Sequence, residues 1–219
     1  MTDILWDEDH PGIYVRDPKK KIELSGEAAK VIPSASFFDL VNVALNEIRA
    51  YPVGKALLKS LAARSLFTDD AIKVIIEHGV GGLSENPESS VDTVAKKVVQ
   101  NPAKPIKLRY MAGKGSTCVV TFNPLRAKAD NKYRPPFIGL AHELIHAYHD
   151  VHGAGYRRYG GTLGQDSGKA EEEMRTVGLQ SYADEDFTEN KIRKEHGLPA
   201  RTSYSGYTFD NVTDSWADA

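Results

Sequence analysis

A chain of 219 residues, 41 % hydrophobic and 26 % charged, has the make-up of a soluble globular protein with one sizeable core. Its 28 basic and 30 acidic residues nearly cancel, which argues against a nucleic-acid binder or a protein held electrostatically on acidic lipid. One cysteine, Cys118, excludes an internal disulfide framework, and no run approaches the roughly 18 apolar residues that cross a bilayer.

The first twelve residues, MTDILWDEDHPG, have no basic segment followed by an apolar one, so no Sec signal is expected. Residues 1–35 read as an N-terminal extension containing Pro11, Pro18 and Pro33, with GIYV and KIEL as short extended pieces. A single domain is expected over 36–219. Ser36 is the N-cap of a helix over about 37–50, whose apolar face is Phe37, Leu40, Val41, Ala44, Leu45 and Ile48. Pro52 and Gly54 interrupt it, and KALLKSLAARS forms a second helix. Asp69 to His78 predicts a third, closed by Gly79. GVGGLSENPESS is the clearest loop.

IKLRYMAG and STCVVTFNP read as strands of a hairpin turning through Gly113-Lys114-Gly115. RPPFIGLAHELIHAYHDVHG is a helix with Pro135 and Pro136 near its first turn and Gly153 at its end. Further helices are expected over about 169–181 and from an N-cap at Thr188 to Gly197. The class is α+β, helix-rich with a small antiparallel sheet.

The chemistry concentrates in GLAHELIHAYHDVHG. His142 and His146 are four residues apart, so on a helix they share one face with Cβ atoms roughly 5–6 Å apart. From that separation both imidazoles can reach one zinc ion at about 2.0–2.1 Å. Glu143 stands beside the first of them, where it can take a proton from a water whose pKa the metal lowers to about 7. The residues around the motif, Leu140, Leu144, Ile145 and Ala147, suit a buried helix.

Two sources could complete the ligand set. His152 follows His146 by six residues (152 minus 146), the metzincin offset, but that pattern needs glycine where this chain has His149. The metzincin Met-turn is missing too, since Met174 is the only methionine downstream. The acidic run Glu171-Glu172-Glu173 is the alternative: a carboxylate from a second helix would make a His₂Glu set and leave one position open. Three glutamates in a first helical turn are otherwise a solvated, dipole-favoured cluster. His149 is expected to support the site or face solvent.

HELIHAYH followed by EEMRTVGL resembles the zinc peptidase domain of the clostridial neurotoxin light chains, where HELIHAGH is followed by EELRTFGG. That resemblance implies Glu172 as the third zinc ligand and Glu173 as a carboxylate behind it. FTEN at 187–190 and RTSY at 201–204 are similar to further toxin motifs. They imply that Glu189 orients a ligand, and that Arg201 and Tyr204 face the substrate carbonyl. In size, and in HELxHA, EExRTVGL and ENKIRKEHGLPARTSY, the chain looks closer to the NleD-type effector zinc peptidases of bacterial type III secretion. The similarity runs over roughly 40–205.

The resemblance implies a zincin-like metallopeptidase fold with an HExxH active-site helix, a Zn²⁺ cofactor and His142, His146 and Glu172 as metal ligands. Glu143, Arg201 and Tyr204 would be catalytic, with Glu173 and Glu189 supporting. The substrate would be a host protein, by family a signalling kinase, lying extended along an edge strand near 117–123. Secretion without a Sec signal into the host cytoplasm is expected, with a secretion chaperone as a further partner and a monomer as the default state. Two rival readings are a non-catalytic zinc-containing recognition protein and a bacterial housekeeping peptidase acting on small peptides.

Overall fold

The computed structural model describes residues 1–24, 34–66, 72–79, 82–83, 115–126, 128–129, 132–155, 167–203, 207–210 and 215–218. A five-stranded sheet has the order β1-β2-β5-β7-β6, from β1 (Thr2–Leu5), β2 (Ile13–Asp17), β5 (Val74–His78), β7 (Cys118–Phe122) and β6 (Gly82–Leu83). Two-residue pairs β3 (Ile22–Glu23) with β4 (Ser34–Ala35), and β8 (Lys128–Ala129) with β9 (Lys132–Tyr133), lie outside it. So does the hairpin of β10 (Tyr207–Asp210) and β11 (Ser215–Asp218). The helices are α1 (Phe37–Arg49), α2 (Pro52–Leu66), α3 (Pro136–Val151), α4 (Ser167–Val177) and α5 (Glu189–Glu195).

The sheet corrects the antiparallel expectation. β2 runs parallel to β5 with Ile13 opposite Val74, and β5 runs parallel to β7 with Val74 opposite Cys118. Within this sheet, among the described residues, only β1 on β2 and β6 on β7 are antiparallel. A parallel pair needs a long crossover, and α1 with α2 supplies it between β2 and β5. The helix expected from Asp69 to His78 is the strand β5 where described. Val74, Ile75 and Ile76 are all buried, as suits an inner strand covered on both faces, and their β-branched side chains favour the pleat.

The boundary drawn at residue 35 does not follow the pairing either. β1 and β2 are integral to the sheet, Ile13 and Val15 lie in the core, and Trp6 Nε1 donates to Asn42 Oδ1 of α1 at 3.0 Å. β7 is likewise no edge, because β5 flanks it on one side and β6 on the other, with Leu83 opposite Val120. The substrate strand expected near 117–123 therefore lacks its free edge over Val120–Thr121. Residues 106–114, the first arm of the expected hairpin, lie outside the described residues.

The helical readings follow the capping chemistry. Ser36 Oγ accepts the Asp39 amide at 3.0 Å, and Phe37, Val41, Ala44, Leu45 and Ile48 form the buried face of α1. Helix α3 begins at Pro136, where the missing amide hydrogen costs nothing, and is buried on nearly every side by α1, α2, α4, α5, β6 and β7. At its far end Arg64 of α2 donates to the Val151 carbonyl at 2.8 Å, setting a cation against the negative end of the helix. Gly115 has φ of 78°, and a Cβ there would stand 2.0 Å from the Val151 carbonyl oxygen, so only glycine lets the approach to β7 cross the end of α3. The central helix is thus packed on most sides and held at its C-terminal end, which fixes the direction of its polar side chains.

Candidate active site

His142, Glu143 and His146 lie on α3, Glu172 and Glu173 on α4, and Glu189 opens α5. His142 Nε2 and His146 Nε2 stand 3.2 Å apart, and Glu173 Oε2 is 3.0 Å from the first and 3.2 Å from the second. Three donors bound to one ion at about 2.0–2.1 Å in a tetrahedral arrangement stand about 3.3 Å from one another. The observed triangle has nearly those edges.

The opposite ring nitrogens are held by other carboxylates. His142 Nδ1 lies 2.9 Å from Glu189 Oε2, and His146 Nδ1 lies 3.0 Å from both Glu172 Oε1 and Thr176 Oγ1. An ionised carboxylate only accepts, so the proton belongs on Nδ1 in both rings, and both Nε2 lone pairs turn toward Glu173. Three lone-pair atoms facing one another at such distances repel unless a cation or a proton sits among them. The donor set fits a zinc-type ion.

The geometry places the two glutamates differently from expectation. Glu172, expected at the metal, turns instead to His146 Nδ1 and, at 2.6 Å, to His149 Nδ1, with its side chain 1 % exposed. Glu173, expected behind the metal, converges with both Nε2 atoms and keeps 15 % of its side chain exposed. His146, His149 and Glu172 also form a triad tight enough for an ion, yet all three are buried, so that triad offers no open position. His149 supports Glu172. His152 takes no part: it caps α3 and its Nδ1 donates to the Tyr148 carbonyl at 2.8 Å.

Electrostatics follow this arrangement. Burial opposes a charge on His142, but Glu173 and Glu189 outweigh it and raise its pKa. Burial would raise Glu173 and Glu189; the imidazoles, joined at Glu189 by Arg201 and Arg193, hold both well below the usual carboxylate range. Glu172 is held low by His149 and His146 against complete burial. For His149, burial wins over Glu172 and its pKa falls, leaving a neutral ring that donates through Nδ1.

Glu189 is the hub of the second layer. Its Oε1 accepts from Arg193 Nε at 2.6 Å and its Oε2 from Arg201 Nη1 at 3.1 Å, beside the contact to His142. Arg201, expected to face a substrate carbonyl, places one guanidinium nitrogen on this buried carboxylate. Asn190 fixes the Arg201 backbone, accepting its amide at 2.7 Å and donating to its carbonyl at 2.9 Å. Tyr204 lies outside the described residues. Arg193 was legible in principle, because it stands four residues after Glu189 on one helix face. Thr176 and Asn190 fall within the EEMRTVGL and FTEN motifs, but their spacing assigned them no partner.

Gly178 joins the two carboxylate-bearing helices. It ends α4 with φ of 82°, and a Cβ there would lie 2.6 Å from Cβ of Thr188, whose Oγ1 caps α5 by accepting the Lys191 amide at 3.1 Å. Gly178→Ala should lower stability by about 2–4 kcal/mol, from the left-handed backbone and the overpacking together. The check is a downward shift of the urea midpoint with unchanged slope; an unchanged midpoint would show that the junction tolerates a methyl group.

Arg134 also borders the site. It is partly buried in the segment leading into α3, its guanidinium lies against Gly139, and burial lowers its pKa against the opposing influence of Glu189 and Glu143.

A family model for peptidase family M91, described as an effector protein, matches residues 25–204. No curated protein matches the chain. Among the described residues no helix is long and apolar enough to cross a membrane.

Proposed function

Because this chain belongs to peptidase family M91, a family of effector proteins, we propose that it is a zinc-dependent endopeptidase that acts on a host protein after secretion from a bacterium. The observation that carries the metal-dependent reading is the convergence of His142 Nε2, His146 Nε2 and Glu173 Oε2 beside Glu143. These three would hold the ion. A bound zinc ion would supply Lewis acidity toward the substrate carbonyl and toward water.

Everything else falls to the chain. Glu143, partly exposed and next to His142 on α3, takes a proton from the attacking water and returns it to the leaving amide nitrogen. Glu189 and Glu172 fix the tautomers of the two imidazoles, and Arg201 and Arg193 keep Glu189 ionised in its buried position. Donation to the developing oxyanion rests with Tyr204, by its resemblance to the toxin motif. A purely structural site would have four protein donors and no base beside it. Three donors, one of them partly exposed, favour catalysis over the recognition-protein reading. Type III secretion and a signalling kinase as substrate follow from the NleD-type likeness.

The test is N-terminal proteomics on a eukaryotic lysate treated with zinc-loaded protein, chelator-treated protein and Glu143→Ala. New N-termini should arise only with the first. Equal cleavage by Glu143→Ala would remove the role given to that residue, and equal cleavage after metal removal would remove the metal.

A further inference from the structure

We propose that the Arg134 guanidinium forms a subsite beside Glu143 that binds an acidic side chain, Asp or Glu, of the substrate polypeptide close to the bond cut. The inference rests on the peptidase reading above and adds a sequence preference to it.

The backbone places Arg134 stiffly. Pro135 and Pro136 follow it, each with a fixed φ and no amide hydrogen, and a residue before proline is confined to extended conformations. Its side chain folds back onto the start of α3. Nη2 lies 3.3 Å, and Cζ and Nε 3.6 Å, from the point where a Cβ of Gly139 would stand, so the guanidinium lies against bare helix backbone. Gly139 is one turn before Glu143 and three residues before His142, so this cation borders the helix face that carries both.

Among the described residues, the accounting of charges leaves it without an anion. Arg193 and Arg201 share Glu189, Arg175 pairs with Glu185, Arg16 with Asp3 and Arg49 with Asp7. Among the described residues, no carboxylate stands at hydrogen-bond distance from Arg134. The acidic groups that influence it are already engaged: Glu189 accepts on both oxygens, and Glu143 is the base. A partly desolvated guanidinium gains most from a carboxylate, which its planar fork can take through two parallel hydrogen bonds. A polypeptide whose scissile bond lies at Glu143 passes close to it.

The test uses peptides found cleaved in a proteome-derived library, resynthesised in pairs with Asp or Glu near the cut replaced by Asn or Gln. With wild type, kcat/KM should favour the acidic member. In Arg134→Gln that ratio should fall about 10- to 100-fold, through KM, and Arg134→Glu should turn the preference toward Lys or Arg at the same position. An unchanged ratio, or an equal loss on both members of each pair, overturns the subsite. Circular dichroism and metal content exclude misfolding as the cause. Failure of wild type to cut any peptide would instead sink the peptidase reading. Anisotropy titration of labelled acidic and amide peptides onto Glu143→Gln, with and without Arg134→Gln, then decides on Arg134. Binding that is selective for acid and lost with the arginine supports the subsite, and equal binding refutes it.

Discussion

Glu143→Gln should lower kcat by about 10²- to 10⁴-fold, the usual range for a positioned general base, while metal content and the circular dichroism spectrum stay as in wild type. The side chain keeps its volume and its hydrogen-bonding reach and loses only its basicity. Glu143 stands outside the triangle of Nε2 and Oε2 atoms, so metal retention is part of the expectation. Two measurements decide it: steady-state cleavage of a peptide taken from an identified cut site, and elemental analysis of the dialysed protein. A variant that cleaves at near wild-type rate would show that the proton leaves the water by another route.

The second large effect separates two adjacent glutamates. Glu173→Gln should lose most of its zinc affinity and its activity together, because it withdraws a carboxylate that meets both Nε2 atoms. Glu172→Gln should cost about 10- to 100-fold in affinity, as for a partner that orients a ligand without touching the ion. It should also loosen His149, which shares its oxygen. Competition with a chromogenic chelator gives both constants. The opposite order, with Glu172→Gln the more severe, would restore the assignment drawn from the toxin motif and refute the geometry.

How far the sequence carried the structure depends on the kind of information each element needs. Helices with local start and stop chemistry were legible: Ser36 and Thr188 accept the amides their positions predict. The pairing of His142 with His146 was legible because helix geometry alone fixes it. β5 was not, since a short apolar run such as Val74-Ile75-Ile76 has no periodicity that separates strand from buried helix. Its neighbours β2 and β7 come from remote segments, so only the folded sheet reveals the parallel pairing. Glu172 and Glu173 lie next to each other in sequence but about 100° apart around α4, and which one meets the imidazoles depends on how that helix is rotated against α3. The contact between Arg201 and the buried charge of Glu189 bridges twelve residues and two local elements, so it shows only in the fold.

The place of β2 inside the sheet has a consequence for the integrity of the chain. β5 has β2 as its partner on one side, so removal of the first 17 residues would strip that side of its hydrogen bonds and uncover the apolar surface beneath Ile13 and Val15. What remains would carry a long, bare rim of unpaired amides and carbonyls, a template on which two damaged molecules can zip together. Proteolytic nicking near the amino terminus would therefore turn a protein that folds on itself into one that aggregates, although the cut is far along the chain from α3.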